Sequence, residues 1–423
     1  VHARTKTAPS RGEGIFAALV VPNFRRYFVG QVISQTGSWM QQIALPWLVF
    51  ELTRSGIDLG LVVAVQSLPV LLLAPYGGVV VDRAHKRTVL LCTQSSQAVL
   101  AALLGVLSLT HVVRIPEIVA IALASGVATA FDVPARQSFV IELVGPERVR
   151  NAVTLNSVTV NTARAVGPAI AAVVIATVGV TTCFFANAIS FGTVLVALFT
   201  LDVRALSPAP PQARSRGQLR SGVAYVARNR ELRTPLIMMG LIGTLAYEYP
   251  VSLALLAKNG LHGGAATYSL LTSALGSGAV IGGFWIASRG KTGLNACFLA
   301  TSEFALMTLL AAFAPTTTFA VVALFLSGFG YLAFNAIGNS TIQLAAEPGM
   351  RGRVMGLWSV AFQGSTLIGS PLVGLVGASL GARWALGMGG ASAVIASIFC
   401  LTSIRASQPS VTEIAPATEA STA

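Results

Sequence analysis

The sequence predicts an all-α membrane protein of twelve transmembrane helices, arranged as two pseudo-symmetric six-helix bundles. Three observations carry that expectation. Of 423 residues, 54% are apolar and only 10% are Asp, Glu, Lys or Arg, against roughly 25% charged in a soluble protein. Mean hydropathy is +0.73, because apolar runs of about 20 residues, one helical bilayer crossing each, recur along nearly the whole chain. Third, the second half repeats short signatures of the first. A soluble enzyme, a disordered chain and a secreted disulfide scaffold are excluded. The net charge of +13 does not imply nucleic acid, since the basic residues sit in short segments between apolar runs.

Taken in order, residues 1–26 form an N-terminal cytoplasmic segment whose Ile15–Tyr27 stretch is expected to lie amphipathically on the inner membrane surface. The spans follow at about 27–50, 58–81, 88–108, 116–137, 151–176 and 181–201, making an N-terminal bundle over 27–201. A linker over 202–234 is rich in Pro and Ala at first, then basic and amphipathic from Gln218 to Arg233. The spans resume at about 235–257, 266–288, 293–314, 317–343, 353–378 and 383–404, a C-terminal bundle over 235–404. Residues 405–423, rich in Ser, Thr, Ala and Pro, read as a disordered cytoplasmic tail. Cys92, Cys183, Cys297 and Cys400 lie within apolar segments and read as small buried hydrophobes.

Loop charge sets the orientation. Placing the N-terminus inside puts 23 of the 28 Lys and Arg residues on the inner side, against Arg54, Arg114, Lys258 and Arg383 outside and Arg164 within a span. Both termini are therefore expected in the cytoplasm. Arg far outnumbers Lys, which suits a bacterial source and a cytoplasmic-membrane location.

The repeat is ordered. Gly77-Gly-Val-Val-Val-Asp-Arg returns as Gly282-Gly-Phe-Trp-Ile-Ala-Ser-Arg, Arg150-Asn-Ala-Val as Arg351-Gly-Arg-Val, and Val166-Gly-Pro as Ile368-Gly-Ser-Pro, each displaced by 201 to 205 residues. Duplicated bundles joined by a linker are the construction of secondary transporters, in which one half rocks against the other around a midplane site. Walker-type and HExxH motifs are absent from the sequence, so a cofactor is not expected and the energy source is expected to be an ion gradient.

The loop Gly78-Val-Val-Val-Asp82-Arg83-Ala-His85-Lys86-Arg87 resembles the helix 2–3 motif of the major facilitator superfamily, with His85 where glycine is usual. Phe24-Arg-Arg-Tyr-Phe-Val-Gly-Gln31, Gly37-Ser-Trp-Met-Gln41, Leu45-Pro-Trp-Leu48, Phe131-Asp-Val-Pro-Ala-Arg-Gln137 and Asn151-Ala-Val-Thr-Leu-Asn156 are similar to one branch, the exporters that resemble the enterobactin exporter. The resemblance implies the fold of that superfamily and proton-driven export of a drug, siderophore or other metabolite. The Arg-x-x-x-Gly pattern common in helix four of drug antiporters is replaced here by Ala122-Leu-Ala-Ser-Gly126.

Intramembrane charges cost at least roughly 2.5–3.5 kcal/mol each and so mark a cavity or a partner. The resemblance places helices one, four, seven and ten around the cavity. Glu248 in helix seven is the leading proton carrier, with a plain hydrogen-bonded carboxyl as the alternative; Glu303 in helix nine reads as structural. Arg164 in helix five could pair with Asp132 of helix four or with Glu248, as a coupling switch or as a permanent ion pair. Gln31, Gln35, Ser38 and Gln42 form a stripe beside Trp39 on helix one. Together with Thr244, Tyr247 and Glu248 on helix seven and Tyr331, Asn335 and Asn339 on helix ten, they suit an amphipathic small molecule, or alternatively interhelical hydrogen bonding. Gly167-Pro168 is expected to bend helix five. Gly77, Gly78, Asp82, Arg83 and Arg87, with Arg351 and Arg353 before helix eleven, are expected to form a conformational latch on the cytoplasmic side.

The functional expectation is an alternating-access proton antiporter that exports an amphipathic small molecule. Its partners are that substrate, protons and membrane lipids, with no nucleic acid, and the chain is expected to act as a monomer. A lysophospholipid or lipid transporter is the alternative, and a non-transporting sensor or enzyme a remote one.

Overall fold

A helix long enough to cross a bilayer satisfies its own backbone, which is why an apolar chain of this kind folds as packed helices. The computed structural model describes residues 16–145, 147–207, 218–290, 292–347 and 350–406. The first bundle comprises α1 (Pro22–Thr53), α2 (Gly56–Arg83), α3 (Lys86–Leu109), α4 (Ile115–Val144), α5 (Val149–Thr177) and α6 (Val180–Phe199). The linker contributes α7 (Gln218–Arg228). The second bundle comprises α8 (Arg230–Leu245), α9 (Tyr249–Leu255), α10 (Ala265–Arg289), α11 (Leu294–Ala312), α12 (Thr317–Ala345), α13 (Arg351–Gln363), α14 (Thr366–Ser379) and α15 (Ala382–Arg405).

Among the described residues, ten helical stretches are long and apolar enough to span a membrane, α13 and α14 counting together as one, and the bent pair α8 and α9 makes an eleventh. The twelfth position belongs to α1. Its 32 residues rise about 48 Å, ample for a crossing, but its glutamines and Arg25 and Arg26 dilute the apolar run.

The packing repeats as the sequence does. In the first bundle α2 packs on α4, α3 on α4 and α6, and α1 on α5 and α6. In the second, α10 packs on α12, α11 on α12 and α15, and α8 on α13, α14 and α15. Apolar lipid supplies little force between helices, so close backbone approach must hold them together. Gly126 of α4 faces the Gln66 carbonyl of α2, and Gly328 of α12, 202 residues later, faces the Leu275 carbonyl of α10. A Cβ at either would meet that carbonyl oxygen.

Two seams join the halves: α2 against α14, and α5 against α10. Gly60 packs on the Ser370 carbonyl and Gly56 on Gly374, while Gly276 sits against the Arg164 carbonyl. Trp47 stacks on Tyr268 with ring centres 6.1 Å apart. Gly56, Gly60, Trp47 and Tyr268 lie toward the membrane face remote from where α1 begins and α15 ends. The halves therefore meet at the remote face.

Local structure departs from the expected spans in four places. The stretch Ile15–Tyr27, described from Phe16, is a 3-10 turn over Ala17–Val20 followed by the start of α1. Rather than lying flat, it turns Phe24 and Tyr27 into the core, Tyr27 meeting Phe139 edge-on at 5.4 Å. Asn23 and Asp202 exchange side-chain and backbone hydrogen bonds and fix this start to the end of α6. The seventh span breaks between α8 and α9 with a bend of 41°. The eleventh is interrupted at Gly364-Ser365. Of the cysteines, all free, Cys92 is exposed and not buried. Helix α7 lies on α13, with Gly222 against Arg353 and the Tyr225 hydroxyl accepting from the Glu347 N–H at 3.2 Å. Residues 1–15, 208–217 and 407–423 of the terminal and linker segments lie outside the described residues.

Candidate substrate cavity and proton site

The break in the seventh span has a local cause. Pro250 lacks an N–H and cannot continue the ladder from α8, so Ala246 closes α8 by donating to the Ile242 carbonyl, and a new helix starts at Tyr249. Glu248 occupies the N-cap of α9 and accepts backbone N–H bonds from Val251 and Ser252 on its carbonyl. Its side chain is 1% exposed. One carboxylate oxygen accepts a hydrogen bond from the Ser370 hydroxyl of α14; the other, Oε1, is buried without a hydrogen-bond partner. Gly369 makes the approach feasible, since its missing side chain leaves room for the Thr244 carbonyl and the Glu248 carboxylate.

Aromatic rings surround the break. Tyr247 meets Tyr331 of α12 edge-on with centroids 4.5 Å apart, Phe304 at 6.1 Å and Phe362 at 5.8 Å. Tyr249 meets Tyr331 at 6.0 Å. The Tyr247 hydroxyl is buried without a hydrogen-bond partner. Asn335 and Asn339 follow Tyr331 along α12, half-buried, with Asn339 accepting from Gln343 at 2.6 Å. Thr244 turns back to the Gly240 carbonyl, leaving its hydroxyl engaged within α8.

On the other half, Trp39 lies under the Arg164 guanidinium at 5.0 Å. Gly167 packs on the Trp39 Cβ and the Thr36 carbonyl, drawing α5 close to α1. Pro168 sits inside the continuous helix α5. The Arg164 carbonyl lies against Gly276 of α10, so this residue sits where α5 of one half meets α10 of the other. Gln35 is half-buried and Gln42 exposed beside Trp39. Ser38 points instead toward Asn187 of α6 at 3.5 Å, where Asn187 also donates to Gln41 at 2.8 Å. The helix-one stripe thus splits between open space and interhelical bonding.

Arg164 meets neither expected carboxylate. Asp132 is paired with Arg136, one turn away on α4, and also accepts from Thr93 at 2.8 Å and Gln94 at 2.7 Å. Gln31 and Tyr27 border this cluster, both buried. Sequence reasoning singled out Asp132 but missed Arg136, although their i, i+4 spacing is an ion-pair signal. It also missed Ser370, which is 122 residues from Glu248. Glu303 tucks its carboxylate against Gly330 of α12.

Of the latch residues, Gly77 packs on the Ala130 carbonyl of α4. Arg87 donates to the Leu198 carbonyl at 2.8 Å, and Lys86 pairs with Glu142 at 3.2 Å, so this loop is tied within its own half. Arg83 and Arg351 are exposed, and Arg353 lies under α7. Gly78 and the Asp82 side chain lie outside the described residues. Two surface hollows of about 490 and 360 Å³ lie away from the aromatic face, one beside Thr88 and Phe131, the other between α7, α8 and α13.

This geometry, two six-helix halves about a polar and aromatic face, has close counterparts. The chain is 28% identical over 375 residues to an enterobactin exporter of Citrobacter koseri, covering 85% of this chain and 86% of that one. It is 27% identical over 256 residues to the staphyloferrin A transporter of Staphylococcus aureus, covering 60% of this chain and 64% of that relative's length. Its fold matches the nucleoside transporter NupG (TM-score 0.72, 12% identity, 90% of this chain and 99% of that one). It also matches a bacterial homologue of the iron transporter ferroportin in an inward-facing state (TM-score 0.70, 12% identity, 91% and 99%). A sequence profile of the transmembrane secretion effectors matches residues 13–420. The chain belongs to that family of major facilitator transporters, and it is a multi-pass membrane transporter, not an enzyme.

Proposed function

We propose that this transporter exports an amphipathic metabolite of the siderophore class by proton antiport across a bacterial cytoplasmic membrane, with Glu248 as the proton carrier. The observation that supports this reading most is the placement of Glu248. It is buried at a helix break, one oxygen held by Ser370 and the other without a hydrogen-bond partner, beside the tyrosines that pack at the break. A carboxyl that must leave water to sit there is costly as an anion and binds a proton readily. Asp132, by contrast, has its charge matched by Arg136 and is assigned to holding α3 and α4 together. With both termini taken as cytoplasmic, halves that meet at the remote face fit a state loading an exported substrate from the cytoplasm. The relatives named for enterobactin and staphyloferrin A support a siderophore as cargo.

The test is transport of enterobactin and staphyloferrin A in proteoliposomes under an imposed pH gradient. Gradient-driven movement of either, lost in Glu248→Gln, supports the reading. Equal movement with and without the gradient overturns proton antiport.

A further inference from the structure

Resting on the reading that this face holds substrate, we infer that the cavity selects an aromatic ligand carrying a carboxylate, held jointly by Arg164 of one half and Tyr247 of the other. Arg164 sits mid-way along α5, its carbonyl against Gly276 of α10 in the other half and its guanidinium over Trp39 of α1. A guanidinium there is costly unless it meets an anion. No carboxylate among the described residues supplies one: Asp132 is engaged by Arg136, Glu248 by Ser370, and Glu303 lies against Gly330. The Arg164 Nε is buried without a hydrogen-bond partner.

The stacking geometry says how an anion is taken. The guanidinium carbon lies over the Trp39 ring, 5.0 Å from its centroid. The in-plane N–H groups of the guanidinium, which match the two oxygens of a carboxylate, are left for a ligand. Tyr247 is a second, independent pointer. Its hydroxyl is buried and unpartnered, at the helix break of the other half. Trp39, Tyr247 and Tyr331 supply the aromatic walls. An anion bound this way draws α5 and the α8–α9 break toward each other, so the same contact that recognises charge also joins the two halves.

The probes are 2-naphthoate, its neutral amide and 2-naphthylmethylammonium, which share one ring system and differ in charge. Saturable binding of each to the purified full chain is measured by equilibrium dialysis in detergent, without any gradient. The expected order is naphthoate tightest, the amide at least about tenfold weaker, the ammonium without saturable binding. Arg164→Gln should bring naphthoate down to the level of the amide, Arg164→Lys should restore part of the preference, and Tyr247→Phe should weaken naphthoate about threefold while the amide changes little. Equal binding of the three probes by the unaltered protein, tighter binding of the ammonium, or no saturable naphthoate binding overturns the inference without needing any variant to fold. Because no proton gradient is involved, these results are independent of the Glu248 transport test, and either reading can fail while the other stands.

Discussion

Ser370 donates its hydroxyl to the buried Glu248 carboxylate, and its own carbonyl packs on Gly60 of the opposite half. One residue of α14 thus touches both the proposed proton site and the seam that closes the remote face. A change in charge at Glu248 alters the hydrogen bond that fixes α14, and α14 can shift only by moving against Gly60. Packed seams of this kind switch between discrete arrangements more readily than they deform.

Glu248→Gln keeps an acceptor for Ser370 but removes the titrating group. Substrate exchange at equal pH should continue at a rate within about threefold of the unaltered protein, while gradient-driven accumulation falls to background. A profile of transport against pH, flattened in the variant, is the check. A profile of unchanged shape would remove Glu248 from the coupling.

Ser370→Ala removes the hydroxyl that donates to one Glu248 oxygen. Leaving a buried acceptor unsatisfied costs about 1–3 kcal/mol. The expected results are a lower thermal midpoint and a transport–pH profile that differs from that of the unaltered protein. Thermal unfolding and the same transport profile measure the two separately.

Gly60→Val places a branched side chain where the Ser370 carbonyl now lies. Closure at the remote face should become unfavourable, and the population should move toward conformations in which α2 and α14 part. Spin labels on the remote ends of those helices should report a longer mean separation. Unchanged distances would mean that the seam does not depend on this contact.

Asp132→Asn removes one partner of a buried ion pair, whose carboxylate side chain is 4% exposed. Breaking such a pair costs roughly 3–5 kcal/mol. The lower end applies, about 3 kcal/mol, because Arg136 retains 20% exposure. Stability should drop while the number of protons moved per substrate stays the same. A changed proton stoichiometry would return Asp132 to the coupling machinery.

The paired prolines show where local sequence stops being informative. Pro46 and Pro250 fall 204 residues apart in the two copies of the repeat. Helix α1 runs through Pro46 unbroken, whereas Pro250 coincides with the break that exposes Glu248 to Ser370. The missing N–H is the same in both; what differs is the neighbour. Beside Pro250, the glycine at 369 lets α14 come against the Thr244 carbonyl and the Glu248 carboxylate. A single proline therefore signalled the possibility of a break, and packing decided which copy took it.

The sequence by itself determined the helical membrane class, the approximate spans, the duplication and the asymmetry of basic loops. These follow from apolar runs and from charge counted along the chain, properties that need no knowledge of neighbours. It also singled out Glu248, Arg164 and Asp132 as charges within apolar spans. Only the tertiary structure decided their partners: Arg136 for Asp132, Ser370 for Glu248, and the Trp39 ring with no carboxylate among the described residues for Arg164. The reason is that a charge in an apolar medium is stabilised by whichever group packing brings within a few ångströms, and that distance is set by helix crossings between residues far apart in the chain.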